Sequence, residues 1–362
     1  MKLFLVGGFL GSGKTTAIVN ACQHLLKKDQ RVAVITNDQG DQQVDNAYVK
    51  SFGIPCDEVA NGCFCCNYDQ LDKHIHSFIE NIQPDIIFAE SVGSCTDLIA
   101  TVVKPFIREM PGCSVVISVF ADATLLLSLF EGRVNFITEN VQYIYKKQLE
   151  EADVLVINKI DLLSSSQLEI LNKHLIKEFP DKIILYQNSF EENDIQVWMN
   201  ELYQFQRSAD RVSLALDYDL YGDGEAQLAW LDQSMTIISS QKNAIVIAKE
   251  IISHIDHYIK QQQLPIGHLK FFIETADPIG IGWKKKISIT SVLPISFYKP
   301  EQNDVGQAHL LINARVQTEP EILQQIVNDS LKEMVQKHDC NIMVEKWTAF
   351  IPGYPKPMHR IS

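Results

Sequence analysis

Long hydrophobic runs are missing from this chain. No stretch approaches the ~20 apolar residues that a membrane helix needs, so no membrane partner is expected. An excess of positive charge is missing too. The 362 residues carry 32 Lys and Arg against 45 Asp and Glu, a formal net charge of −13. Nucleic-acid recognition needs a basic face, so no nucleic-acid partner is expected. The densest basic cluster, Lys284–Lys286 beside Gly280, Gly282 and Trp283, reads as a hairpin tip with solvated lysines. The eight cysteines lack the even framing of a secreted disulfide scaffold. The apolar start at Met1–Leu10 is too short for a signal peptide and runs straight into a glycine-rich loop. Internal repeats and low-complexity segments are absent. These absences point to a soluble, cytoplasmic chain, long enough for two domains with their own cores.

What is present starts with Gly7–Thr16, Gly-Gly-Phe-Leu-Gly-Ser-Gly-Lys-Thr-Thr, directly after the apolar stretch Leu3–Val6. It fits the phosphate-loop pattern G-x-x-x-x-G-K-[ST] from Gly8 to Thr15. Gly8, Gly11 and Gly13 let the backbone curl so that the N–H groups of Ser12, Lys14, Thr15 and Thr16 point at phosphate oxygens. The N-terminus of the following helix adds its dipole. Lys14 would reach the β- and γ-phosphates, and the Thr15 hydroxyl would bind Mg²⁺.

Two further motifs narrow the nucleotide. Asn158-Lys159-Ile160-Asp161 follows the apolar run Val154–Ile157. A carboxylate at Asp161 can accept two hydrogen bonds from a guanine edge, a donor pair that adenine lacks. Glu90 ends the apolar segment 85–89 and opens Glu90-Ser-Val-Gly93. An acid at that strand end suits Mg²⁺ or its water, and Gly93 allows close backbone approach to the γ-phosphate. Lys14, Thr15 and Glu90 are therefore the expected catalytic set. No glutamine is obviously placed to orient an attacking water, which fits slow intrinsic hydrolysis.

A fourth motif is unusual. Asn61-Gly-Cys-Phe-Cys-Cys66 places three thiols, Cys63, Cys65 and Cys66, within four residues. Thiolates bind soft or borderline metals such as Zn²⁺, Cu(I), Co²⁺ or Ni²⁺. A fourth ligand must come from elsewhere, or the site stays open for transfer. Asp38, Asp41, Asp45 and Glu58 are the candidate acids, with Asp38 and Asp45 also suited to Mg²⁺ or to an outer shell. Inert buried cysteines, a redox pair and a disulfide are the competing readings, the redox pair first among them and a stable disulfide disfavoured in a cytosolic chain.

Together these residues resemble CobW-type GTPases, the metal-chaperone branch of the SIMIBI P-loop proteins, with the urease and hydrogenase nickel-insertion GTPases as relatives. The match rests on Gly8–Thr16, Asn37–Asp41 with Asp45, Gly62–Cys66, Glu90–Gly93 and Asn158–Asp161. The resemblance implies GTP and Mg²⁺ as cofactors, Zn²⁺ or Co²⁺ as the transferred metal, and delivery to a client metalloprotein, with a cobalamin-linked client among the options. It also implies communication between the metal and nucleotide sites. A homodimer stays open. The chain departs from the family at Asn37-Asp38-Gln39-Gly40-Asp41, where relatives read Asn-Glu-Phe-Gly-Glu. Its inter-domain stretch, residues 215–226, is acidic and tyrosine-bearing where many relatives are histidine-rich. Two other function classes compete: a nucleotide-gated metal or redox sensor with negligible turnover, and a small-molecule kinase, which the guanine motif disfavours.

Strand and helix patterns alternate up to about residue 206, which predicts an α/β P-loop NTPase parallel sheet with helices on both faces over residues 1–207. An acidic linker is expected over 208–226. Residues 227–362 read as a smaller α+β, ferredoxin-like C-terminal domain, with strand, helix, three strands, helix and strand in order. Thr318 and Glu321 suggest a capping box for its last helix.

Overall fold

Short runs of Val, Ile, Leu and Phe between glycine- and asparagine-bearing loops set the strands of the first half, and most are buried on both faces. A strand buried on both faces reads as a continuous apolar run and belongs to a parallel sheet sandwiched by helices. The computed structural model describes residues 1–40, 43–133, 138–205, 211–275, 282–290 and 305–361. Two compact units emerge: residues 1–39, 52–225 and 354–362 form the first, and residues 40–51 and 226–353 the second.

In chain order the elements begin with β1 (Lys2–Gly8), α1 (Lys14–Leu26), β2 (Val32–Asn37), α2 (Val44–Lys50), β3 (Cys56–Val59), α3 (Tyr68–Asn81) and β4 (Ile86–Glu90). They continue with α4 (Lys104–Glu109), β5 (Ser114–Asp122), α5 (Ala123–Phe130), α6 (Glu139–Glu151) and β6 (Val154–Asn158). The first unit closes with α7 (Ser165–Glu178), β7 (Ile183–Gln187), α8 (Glu192–Gln204) and α9 (Tyr218–Glu225). Among the described residues its sheet has seven parallel strands in the order β3-β2-β4-β1-β5-β6-β7. β1 sits centrally between β4 and β5, with Val6 in register with Glu90. The C-terminal ends of β1, β2, β4 and β6 therefore share one rim, where ligands of such sheets bind.

The second unit comprises α2 together with β8 (Ala229–Ser239), α10 (Ala244–Gln261), β9 (Ile266–Glu274), β10 (Lys284–Ile289), β11 (Gln307–Val316), α11 (Pro320–Lys337) and β12 (Cys340–Phe350). Its sheet is antiparallel, in the order β10-β9-β11-β8-β12. Removing the edge strand β10 leaves the ferredoxin-like frame expected from sequence. Side chains alternate across a sheet. Phe271, Ile273, Leu310 and Ile312 join Ile245, Ile252 and Ile255 of α10 and Leu323 and Val327 of α11 in the main core. Phe272 and Leu311, on the opposite face, pack against Val44 of α2.

Several expectations change. Lys284–Lys286 are not a solvated hairpin tip; they open strand β10, and the Lys286 ammonium is ion-paired with Asp45. The C-terminal part of the expected linker folds as α9, with Tyr221 and Glu225 buried. The capping box at Thr318 does not form: the helix starts after Glu319 with Pro320 in its first turn and no side-chain cap bond. Glu319 is the N-cap instead, which puts Pro320 at the first helical position, where its missing N–H costs nothing and its fixed φ suits the helix. Gly280 and Asp41 lie outside the described residues.

Candidate nucleotide and metal site

Backbone freedom at two glycines shapes the phosphate loop. Gly8 has φ 127°, and a Cβ there would sit 2.1 Å from the Phe120 carbonyl oxygen. Gly13, which opens α1, has φ 93°, and its Cβ would sit 2.3 Å from Asn158 Nδ2. Neither position tolerates a side chain. Gly11 adds a third left-handed turn with φ 74°. The N–H groups opening α1 thus follow a tight glycine turn, as an anion site requires. The buried Lys14 ammonium donates to the Gly8 carbonyl at 2.7 Å, at the mouth of this loop. The Thr15 hydroxyl donates to Glu90 Oε1 at 3.0 Å, both groups buried. Ser12 is buried and Thr16 half-buried. Gly93 lies against the loop as well: a Cβ there would be 3.0 Å from the Leu10 backbone nitrogen.

Asn158 joins the guanine motif to the phosphate loop. Its Nδ2 donates to the Ser12 carbonyl at 2.8 Å, and its Oδ1 accepts from the Ser189 N–H at 3.1 Å and Oγ at 2.8 Å. Lys159 takes φ 64° and extends its ammonium to Asp122 Oδ2 at 2.7 Å. Asp122 also caps α5 through the N–H groups of Thr124 and Leu125. Asp161 lies in the single turn Ile160–Leu162 and is exposed at the rim. Ser189 and Asp122 escaped sequence reading. Each stands at or just beyond a strand end, but neither belongs to a contiguous motif.

The thiol motif is held from β2. Asn37 Nδ2 donates to the carbonyls of Val59 at 3.0 Å and Gly62 at 2.7 Å, and Asn37 Oδ1 accepts from Phe64 N–H at 2.9 Å. One side chain thereby closes the loop around Cys63, Cys65 and Cys66. Their Sγ atoms all lie within 4.8 Å of one another. Cys63 and Cys66 are 3.3 Å apart and Cys65 and Cys66 3.7 Å, and all three are free thiols. A tetrahedral Zn²⁺ with Zn–S of about 2.3 Å needs sulfurs about 3.8 Å apart, so the trio fits such an ion. The buried Cys95 is not part of this cluster; its thiol donates to the Thr96 carbonyl at 3.9 Å. Hydrogen bonding to Cys63 pushes Cys66 up to about 11.

Two more segments border the thiols. Residues 354–361 run across the motif: the Lys356 N–H donates to Cys66 Sγ at 3.2 Å and the Met358 N–H to the Cys65 carbonyl at 2.9 Å. Arg360 then pairs with Asp97 at 2.8 Å. Glu225, at the end of α9, accepts from Ser94 Oγ and from Gln39 Nε2, and burial pushes its carboxyl up to about 8.

Residues 2–186 match the sequence pattern of the family described as CobW/HypB/UreG, nucleotide-binding domain, which is half of the chain. The chain belongs to the CobW/HypB/UreG family. It is 32% identical over 187 residues to a protein named zinc chaperone CobW from Sinorhizobium sp, covering 46% of this chain and 52% of that one. It is 28% identical over 176 residues to zinc chaperone YeiR of Escherichia coli (strain K12), covering 47% and 49%. The chain thus spans about half the length of these curated relatives. Among solved structures, HypB from Helicobacter pylori in complex with nickel aligns at 15% identity and TM-score 0.42, over 59% of this chain and 92% of that one.

Within this CobW/HypB/UreG domain the expected acids are not brought to the thiols. Asp45, in α2, belongs to the second unit, where its two oxygens pair with Lys270 at 2.5 Å and Lys286 at 2.6 Å. Burial would raise its carboxyl, but the two ammonium groups outweigh that and hold it well below the usual range. Asp38 Oδ1 accepts from the Gln39 N–H at 2.8 Å. Glu58 lies in β3, and Asp41 is outside the described residues. Among the described residues, no carboxylate joins the three thiols within their mutual 4.8 Å.

Proposed function

We propose that this chain is a GTP-binding and GTP-hydrolysing metallochaperone that couples nucleotide state to the binding and delivery of a transition metal, zinc or cobalt, to a client metalloprotein. The observation that carries the reading is a clustered thiol trio in the same unit as a phosphate loop tied to a guanine motif through Asn158. The zinc-chaperone names of the relatives support zinc as cargo.

The residue roles follow from charge and position. N–H groups of Gly11 to Thr16 and the Lys14 ammonium hold the phosphates. Thr15 and Glu90, a hydroxyl and a carboxylate 3.0 Å apart at a buried strand end, suit Mg²⁺. Mg²⁺, when bound, neutralises charge on the β- and γ-phosphates. Gly93 brings a backbone N–H close to the γ-phosphate position. Asp161 accepts from the guanine edge, with Lys159 held in place by Asp122. Cys63, Cys65 and Cys66 supply thiolates to the cargo metal and release protons on binding it. Hydrolysis is slow until a client engages.

Calorimetric titration tests the nucleotide half of this reading. GTP should bind at least ~100-fold more tightly than ATP, because losing charged guanine contacts costs several kcal/mol. Asp161→Asn should remove most of that preference. Equal affinity of the unaltered protein for the two triphosphates would rule the guanine assignment out.

A further inference from the structure

Two prolines decide which amides the end of the chain can offer. Residues 354–361 read Tyr-Pro-Lys-Pro-Met-His-Arg-Ile. Pro355 and Pro357 carry no N–H, and Pro357 biases Lys356 towards an extended backbone. The amides left on either side of Pro357 are those of Lys356 and Met358, and both go to the thiol loop. The Lys356 N–H donates to Cys66 Sγ at 3.2 Å and the Met358 N–H to the Cys65 carbonyl at 2.9 Å. Of the trio, Cys63 and Cys65 are buried and Cys66 is half-buried. The segment therefore lies on the thiol that faces outward.

Anchors at both ends hold it there. The Tyr354 hydroxyl donates to Asp223 of α9, and its ring packs on Gly222, where a Cβ would lie 2.2 Å away. His359 meets the Tyr68 ring edge to face, with 5.1 Å between centroids. Arg360 pairs with the buried Asp97 at 2.8 Å and donates to the Leu214 carbonyl at 2.9 Å. The Ile361 N–H donates to the Ala100 carbonyl at 2.9 Å, and the Ile361 carbonyl accepts from Ser213 Oγ at 2.8 Å. All of these groups belong to the first unit.

We propose that residues 354–361 are a strap that retains cargo: the Lys356 N–H stabilises the Cys66 thiolate of the metal-loaded site, and lifting of the strap frees the ion. This rests on the metal-binding reading of the thiol motif. An N–H bond to a thiolate is charge-assisted and stronger than one to a neutral thiol, so the strap favours the loaded site over the empty one. Lifting it removes that bond and uncovers the outward-facing ligand to a client. Tyr354, Lys356 and Arg360 are exposed, so the strap can lift without opening the sheet beneath.

Release of Zn²⁺ to a chelator from the loaded full chain tests this. Lys356→Pro continues the proline run and deletes the N–H on Cys66. It should release Zn²⁺ ~10-fold faster than the unaltered chain, the low end of what losing an outer-shell partner costs. Lys356→Ala keeps the amide and should release Zn²⁺ more slowly than Lys356→Pro by about the same factor. Equal rates in the two variants, or slower release from Lys356→Pro than from the unaltered chain, would overturn the strap. Amide hydrogen exchange followed by NMR needs no substitution. The Lys356 amide should exchange more slowly in the Zn²⁺-loaded chain than in the metal-free chain; exchange as fast as in an unstructured peptide in both states would also overturn it. Loading with Co²⁺ separates this claim from the one beneath it. If the unaltered chain shows no sulfur-to-cobalt charge transfer, the metal reading falls and the strap with it. If those bands are present and Lys356→Pro releases metal as slowly as the unaltered chain, only the strap is wrong.

Discussion

Asn158 does not itself have to touch a base to matter. Its amide spans Ser12 of the phosphate loop and Ser189 beyond β7, and all three groups are buried. Truncation leaves those partners unpaired, which costs ~1–3 kcal/mol per buried group. Asn158→Ala is therefore expected to weaken GTP and ATP alike, by ~10-fold or more. Asp161→Asn should weaken only the guanine nucleotide. Titrating both variants with both nucleotides separates the roles; a selective loss of GTP in Asn158→Ala would show that Asn158 reads the base. At this scale sequence reading succeeds where chemistry is contiguous. Gly8–Thr16, Cys63–Cys66 and Asn158–Asp161 each declare themselves within a few positions. Ser189, Asp122 and Glu225 come to the site from separate elements, and no spacing rule joins them to it.

Short elements are where patterning fails and tertiary contacts decide. β3 has four residues and α2 seven, too few to show a period. α2 is fixed by partners far away in sequence: the Val44 N–H donates to Asn313 Oδ1 at 2.9 Å, and Asp45 holds Lys270 and Lys286. The same distance effect misled the reading of Lys284–Lys286, which looked solvated because its buried acid lies in another element. Asp45→Asn leaves two largely buried ammonium groups without their counter-charge, at a cost of about 3 kcal/mol to the second unit. The pH dependence has a definite sign. Above its unfolded value of about 4, the Asp45 carboxyl is charged in both states and the ion pairs contribute in full. That contribution is lost as pH falls through the depressed folded value. Calorimetry should show the widest gap in melting temperature between unaltered protein and Asp45→Asn at pH 7, closing in acid below about pH 4. A gap independent of pH would locate the effect in packing. Longer elements were legible. The alternation of apolar strands and amphipathic helices gives the parallel sheet, and the order β8-α10-β9-β10-β11-α11-β12 gives the ferredoxin-like unit.

For the molecule as a whole, the account depends on coupling between nucleotide and cargo. In sequence, residues 37–45 lie between the phosphate loop and the thiols, a natural place for that link. Part of it stands there, since Asn37 clamps the thiol loop. Gly40–Ser51 belong to the second unit, however, and Asp45 is committed to its lysines. The more direct route joins the loop after β4, which carries Glu90 on Thr15 and Gly93 on Leu10, to the end of β2, because Ser94 and Gln39 both donate to Glu225. Segments tied to one another and to both sites cannot rearrange for one without changing the other. Linkage then requires each ligand to alter the affinity of the other by the same factor. The decisive measurement is Zn²⁺ affinity by chelator competition in the nucleotide-free, GDP-bound and non-hydrolysable-GTP-bound states, with GTP affinity measured in return with and without Zn²⁺. The account predicts tighter Zn²⁺ binding in the GTP state by ~5–150-fold, matched by an equal change in GTP affinity. The same Zn²⁺ affinity in all three states would contradict it.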